Sequence, residues 1–210
     1  FNLTIHEFSH GYIADKLGDQ TARYSGRLTL NPLKPLDLIG PIAIFLFHFG
    51  WAKPVPLKPY NFRQQRRDMM LLAIAGPVSN QACAMVCGFI LRFLPHRFLE
   101  SAIGGFSSSA ALPTNFAEFI SVILFSFFFY GLILAVFNLI PIPPLDGSKI
   151  LYYLLPANIA YRYMRVERYG FFILMGIILL GSLVGFPILW IIIQPFISFF
   201  SFIFIGRSIL

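Results

Sequence analysis

Residues 119–140 read FISVILFSFFFYGLILAVFNLI, a run of 22 positions without one charged side chain. In hydrocarbon every backbone N–H and C=O must find a partner inside the protein, so a lone spanning segment of this kind has to be an α-helix. About 20 residues are enough to cross. The rest of the 210-residue chain agrees: it is 57% hydrophobic and only 12% charged, whereas soluble domains carry about 25% charged residues. The expected fold is an all-α polytopic membrane protein, most simply a single domain over 1–210. The formal charge of +7 comes from 16 Lys and Arg against 9 Asp and Glu. In this setting it reads as basic loops near anionic lipid rather than a nucleic-acid surface. Cys83 and Cys87 sit one helical turn apart in an apolar run, where packing or lipid contact is expected and a disulfide framework is not.

Along the chain, residues 1–17 look like the end of a helix closed at Gly18. A span needs about 20 residues, so the first helix is expected to begin before Phe1. Residues 20–34 are polar and turn-rich, and Arg27–Asn31 alternates with period two, which predicts a small β element near residues 25–31. LDLIGPIAIFLFHFG (36–50) is apolar but short and carries Gly40 and Pro41; it is expected to re-enter rather than span. A Pro-rich basic loop (51–68) follows, then a long apolar segment (69–94) and a polar loop (95–117). Beyond the run at 119–140 come PIPPLDGSK, a basic stretch to Arg168, and two apolar segments divided near Gly185-Phe186-Pro187. About five to six hydrophobic segments are expected in all.

The charges orient this plan. Nine Lys and Arg lie between Lys16 and Arg67 and four more between Lys149 and Arg168. If 36–50 dips in and returns, all these basic segments face the cytoplasm, as the positive-inside rule prefers. Irregular backbone at membrane depth is tolerated only where protein or a wet cavity surrounds it. A hydrated interior near the cytoplasmic face is therefore expected.

Within the first helix stands HEFSH, residues 6–10. Side chains at i and i+4 are neighbours about 6 Å apart on a helix, so His6 and His10 can share one ion, and neutral imidazole suits zinc. Glu7 then stands beside the ion, placed to take a proton from water, which is the mechanical sense of an HExxH pattern. Ionisable groups inside a membrane are functional by default.

A catalytic zinc usually has three protein ligands. The positions that would continue the pattern in a metzincin are Ile13 and Lys16, so that class fails. Glu100 falls in a loop at the opposite face. Asp15, Asp19 and Asp37 look like caps or surface charges. Asp146 is the best candidate, because it follows the strongest span in NLIPIPPLDG (138–147), where three prolines prevent regular helix and unwound backbone can turn the carboxylate inward.

HEFSH, AGPVSN and NLIPIPPLDG, in this order, resemble the site-2 protease family of intramembrane zinc metalloproteases (peptidase family M50). RLTLNPL, GWAKPVP and YNFRQQRRDM are similar to its compact branch, which has no appended PDZ or CBS domain. The resemblance implies one zinc ion per chain on His6, His10 and Asp146, with Glu7 as catalytic base. It also implies that Asn80 and Asn138 line the active-site groove and assist the reaction. Two stretches depart from the family pattern, KPLDLIG from Lys34 and Ser148 after Asp146-Gly147, and neither touches a proposed ligand.

The expected activity is hydrolysis of peptide bonds in or near transmembrane segments of membrane proteins. The expected setting is a prokaryotic cell membrane with the active site toward the cytoplasmic side. A substrate helix must unwind locally, and Arg27–Asn31 offers a strand edge for it. Two other classes fit a buried metal site: a metal transporter and an inactive protease-like scaffold. Transporters often show paired halves, and this chain has no internal repeat; a Glu between two ligands favours hydrolysis.

Overall fold

The computed structural model describes residues 1–32, 55–107, 113–185 and 188–209. Its elements in chain order are α1 (Asn2–Lys16), α2 (Thr21–Tyr24), a 3-10 turn (Pro59–Asn61), α3 (Gln65–Phe93), α4 (His96–Ser107), α5 (Phe116–Leu139), α6 (Asp146–Leu154), α7 (Ala157–Val184) and α8 (Ile188–Ile205). Among the described residues, α3, α5, α7 and α8 are long and apolar enough to cross a membrane. They account for four of the expected five to six hydrophobic segments. α1 has 15 residues, short of a span, and the segment 36–50 lies outside the described residues.

Three contacts fix α1 against α3. The Asn2 side chain meets Cys83, His6 meets Asn80 and His10 meets Leu72. As one number rises the other falls, so the two helices are antiparallel. α5 lies antiparallel to α3 in turn, with Gly131 against Asn80 and Ala84, and Gly88 against Phe128. Lipid tails are as apolar as the side chains they would replace, so packing rather than water exclusion holds such helices together, and small residues let the backbones approach. The largest cluster of buried side chains lies between α3, α5 and α8, with Leu91, Phe125, Phe128, Leu132 and Ile197 at its centre. A second, smaller one joins Ala14, Phe62 and Leu72, and a third joins Ile140, Leu145 and Leu174.

α5 starts where its sequence says it should. The Asn115 side chain accepts from the Glu118 N–H at 2.9 Å, while the Glu118 carboxylate accepts from the Thr114 N–H at 2.7 Å. This reciprocal arrangement satisfies donors that a helix start leaves open. It ends before Pro141, and the chain runs irregularly through Pro143 and Pro144 to Asp146, the first residue of α6.

Two expectations are corrected. The small β element at 25–31 does not form among the described residues. Thr29 N–H donates to the Arg27 carbonyl and Asn31 N–H to the Thr29 hydroxyl, which is turn chemistry. A five-residue alternation has no strand character without a ladder. The polar loop expected at 95–117 instead contains α4. Leu99 and Ala102 are buried, and Ile103 and Phe106 pack beside them, so one apolar stripe at helical spacing attaches α4 to the bundle.

The basic segments meet at one end. Arg66, in the first turn of α3, donates Nε–H to the Tyr153 carbonyl at 2.8 Å and Nη2–H to the Leu155 carbonyl. The basic entry to α3 thus lies beside the segment that joins α6 to α7. At the other end Arg92 donates to the Ile203 carbonyl at 3.1 Å, near the end of α8.

Candidate metal centre

His6 and His10 lie on one face of α1, and both are buried. Their Nε2 atoms are 3.0 Å apart. Asp146 comes from the far side of the chain, yet its Oδ2 lies 3.0 Å from His6 Nε2 and 3.1 Å from His10 Nε2. Ligands about 2.0–2.1 Å from one tetrahedral ion stand roughly 3.3 Å from each other. The three atoms are thus spaced nearly as a shared ion requires. This is also the one group of three or more His, Cys, Asp or Glu among the described residues whose donor atoms converge in this way.

The far nitrogens settle which lone pairs are available. His10 Nδ1 lies 2.8 Å from the Leu72 carbonyl oxygen. A carbonyl only accepts, so Nδ1 carries the hydrogen and the neutral ring presents a bare Nε2 to the cluster. The ladder of α3 is interrupted one residue further on, since Pro77 has no N–H to give the Ala73 carbonyl. His6 Nδ1 lies 3.2 Å from the Asn80 side-chain amide, whose Oδ1 is buried with no partner among the described residues. Turned about its own bond, that amide lets Oδ1 accept from Nδ1–H and leaves His6 Nε2 bare as well. Two imidazoles with free lone pairs and one carboxylate are a donor set that fits zinc.

Two glycines make the approach possible. A Cβ on Gly76 would lie 2.5 Å from His6 Nε2 and 2.6 Å from His10 Nε2, so α3 can pass beside the rings only without a side chain there. A Cβ on Gly147 would strike the Leu139 backbone and come within 2.6 Å of the Ile140 carbonyl oxygen. The start of α6 is therefore pressed against the end of α5, and this turns Asp146 inward.

The site opens into a cavity of about 570 Å³ lined by His6, Glu7, His10, Asn138, Asp146 and Lys149 together with apolar side chains. Val55 and Leu57 form one wall, and Phe171 and Leu174 of α7 form another. Of the six residues named from sequence, five line this cavity. Asn80 does not: it is fully buried behind the His6 ring. Asn138 does face the cavity, while its amide also donates to the Leu134 carbonyl at 2.9 Å.

The sequence model of peptidase family M50 matches residues 1–181. The chain belongs to peptidase family M50. Among curated proteins it is 40% identical over 190 residues to YwhC of Bacillus subtilis, which is named as a zinc metalloprotease; the match covers 90% of this chain and 82% of that one. It is 28% identical over 188 residues to Rip2 of Mycolicibacterium smegmatis, covering 87% of this chain and 65% of the relative. It is 30% identical over 156 residues to Rip2 of Mycobacterium tuberculosis, covering 71% and 52%. Both Rip2 proteins are likewise named as zinc metalloproteases. No solved structure matches the chain. As an M50 peptidase it is a zinc metalloprotease of the site-2 type, and the four apolar helices among its described residues mark it as an integral membrane protein.

Sequence reasoning missed two groups that contact the candidate centre. The Leu72 carbonyl has no sequence signal, since any residue supplies the same atom. Lys149 had one: it stands three residues after Asp146, on the same face of α6.

Proposed function

We propose that this chain cleaves peptide bonds in or near transmembrane segments of membrane proteins, with His6, His10 and Asp146 holding one zinc ion and Glu7 acting as base. Zinc held there would polarise the scissile carbonyl and acidify water. Glu7 follows His6 on α1 and lines the same cavity. It takes a proton from water and returns it to the leaving nitrogen. An amide has two N–H donors, and Asn138 spends one on Leu134. The other is available to the oxyanion that forms as the carbonyl is attacked. The apolar walls from Val55, Leu57, Phe171 and Leu174 suit an unwound membrane segment better than a polar peptide. The basic segments gathered at the α3 and α6 end support a cytoplasmic-facing site by the positive-inside rule.

One observation carries this reading: three buried donor atoms, two from α1 and one about 140 residues further along the chain, converge at 3.0–3.1 Å beside a glutamate-lined cavity. The test uses the purified chain, its zinc content and a membrane-helix substrate. Glu7→Gln should lower cleavage at least about 100-fold and leave zinc bound, whereas Asp146→Ala should lose zinc. Cleavage by Glu7→Gln at the parent rate would remove the proposed base. Metal transport across vesicles by that variant would instead mark a transporter.

A further inference from the structure

We propose that Lys149 is a positioning residue that divides the Asp146 carboxylate, holding Oδ1 on its ammonium so that Oδ2 is presented to the metal. The inference rests on the metal reading given above. Asp146 uses its two oxygens differently. Oδ2 faces His6 Nε2 and His10 Nε2 at 3.0 and 3.1 Å. Oδ1 faces Lys149 Nζ at 3.4 Å. The carboxylate is buried, while the lysine side chain is 44% exposed and lines the cavity. Among the described residues it is the one Lys or Arg that does so.

Nothing about α6 itself asks for a cation here. Lys149 is in the first turn after Asp146, where the helix dipole is positive and a cation is disfavoured. Asp146 offsets that cost while Oδ1 and Nζ stay paired. In that arrangement Oδ1 is engaged by Nζ and Oδ2 is the oxygen left facing the histidines, so the carboxylate would hold an ion through one atom. Groups that orient metal ligands in this way typically govern affinity by 10–100-fold. The ammonium has three donors, and Asp146 engages one of them.

The test compares Lys149→Met, which keeps the length of the side chain without charge, and Lys149→Arg, which keeps the charge. Each is purified as the full chain with zinc, checked for unchanged thermal unfolding, and titrated with a zinc chelator. Asp146→Ala is run alongside. Lys149→Met should release zinc at a chelator strength about 10–100-fold lower, and Lys149→Arg should recover most of the loss. A pure role in substrate contact or headgroup binding would raise KM and leave zinc retention as in the parent, which would overturn the proposal. Should Lys149→Met unfold more easily, the Arg variant decides: zinc retention near the parent value supports the positioning role, and loss equal to that of Met overturns it. Zinc retained by Asp146→Ala would instead discard the ligand set itself, a distinct failure.

Discussion

The Asn80 amide lies 3.2 Å from His6 Nδ1 and is fully buried, on the side of the ring away from the cavity. A side chain in that place touches neither substrate nor water in the cleft. It fixes the ring and its tautomer. Asn80→Ala is therefore expected to lower zinc affinity about 10–100-fold and to lower cleavage in proportion at limiting zinc. Adding zinc should restore much of the activity, which distinguishes loss of a ligand's support from loss of an oxyanion donor. Asn138→Ala should behave in the opposite way, lowering kcat with zinc content unchanged. Zinc titration of both variants, with activity measured at each point, separates the two.

Gly76 tolerates no side chain beside the imidazole pair. Gly76→Ala places a Cβ 2.5–2.6 Å from ring atoms of both histidines. Either the rings move or α3 withdraws. Overpacking of this sort costs about 1–3 kcal/mol, and the rings cannot move without losing the bonds to Leu72 and Asn80. Metal analysis of the purified variant should show zinc lost to dialysis that the parent survives. Full retention would mean that the helices part easily at this point.

Asp19 ties the end of α1 to the cavity wall. Its carboxylate accepts from Thr21 N–H at 3.2 Å, Thr21 Oγ1 at 2.5 Å, Lys58 N–H at 2.7 Å and Asn61 Nδ2 at 2.7 Å. Burial pushes this carboxyl up, but the bonds from Thr21, Lys58 and Asn61 outweigh it and hold the acid below its ordinary range. A carboxylate with a lowered folded-state value adds stability above its unfolded value, about 3.9, and loses it as pH falls through the folded one. Asp19→Ala should cost about 2 kcal/mol at neutral pH, and the gap from the parent should close under acid. Because Val55 and Leu57 hang from this tie, KM should rise more than kcat falls. Unfolding curves against pH, together with kinetics at pH 7, check both.

Arg66 closes the helix that begins with Asp146. Its guanidinium takes the Tyr153 and Leu155 carbonyls, which are left open where α6 ends. Arg66→Ala should destabilise the fold by about 1 kcal/mol, and Arg66→Lys should recover little, since an ammonium does not match the fork that spans two acceptors. Limited proteolysis after residue 154 gives the readout: cleavage no faster than in the parent would show that α6 holds without this bracket.

Much of the site was legible because it is local. His6, Glu7 and His10 lie within one turn and a half of one helix, and 3.6 residues per turn put the two histidines on one face whatever surrounds them. Asp146 was legible for a different reason: the prolines before it forbid helix, and a carboxylate after the strongest span has few other uses. The stripe of Leu99, Ala102, Ile103 and Phe106 was equally local, but glycines and serines around it obscured α4. The alternation at Arg27–Asn31 misled because a strand is defined by its neighbour and not by its own pattern.

The sequence by itself determined that this chain crosses lipid as helices, since its long apolar runs allow no other way to satisfy the backbone, and that two histidines stand ready to share an ion. Only the tertiary structure decided that Asp146 meets them, that Asn80 stands behind a ring while Asn138 faces the cleft, and that Lys149 takes one oxygen of a carboxylate whose other oxygen faces the histidines. Those relations join residues 74 to 140 positions apart or depend on which way one side chain turns. They are fixed by close packing at Gly76 and Gly147, where the absence of a single Cβ sets the distance between helices.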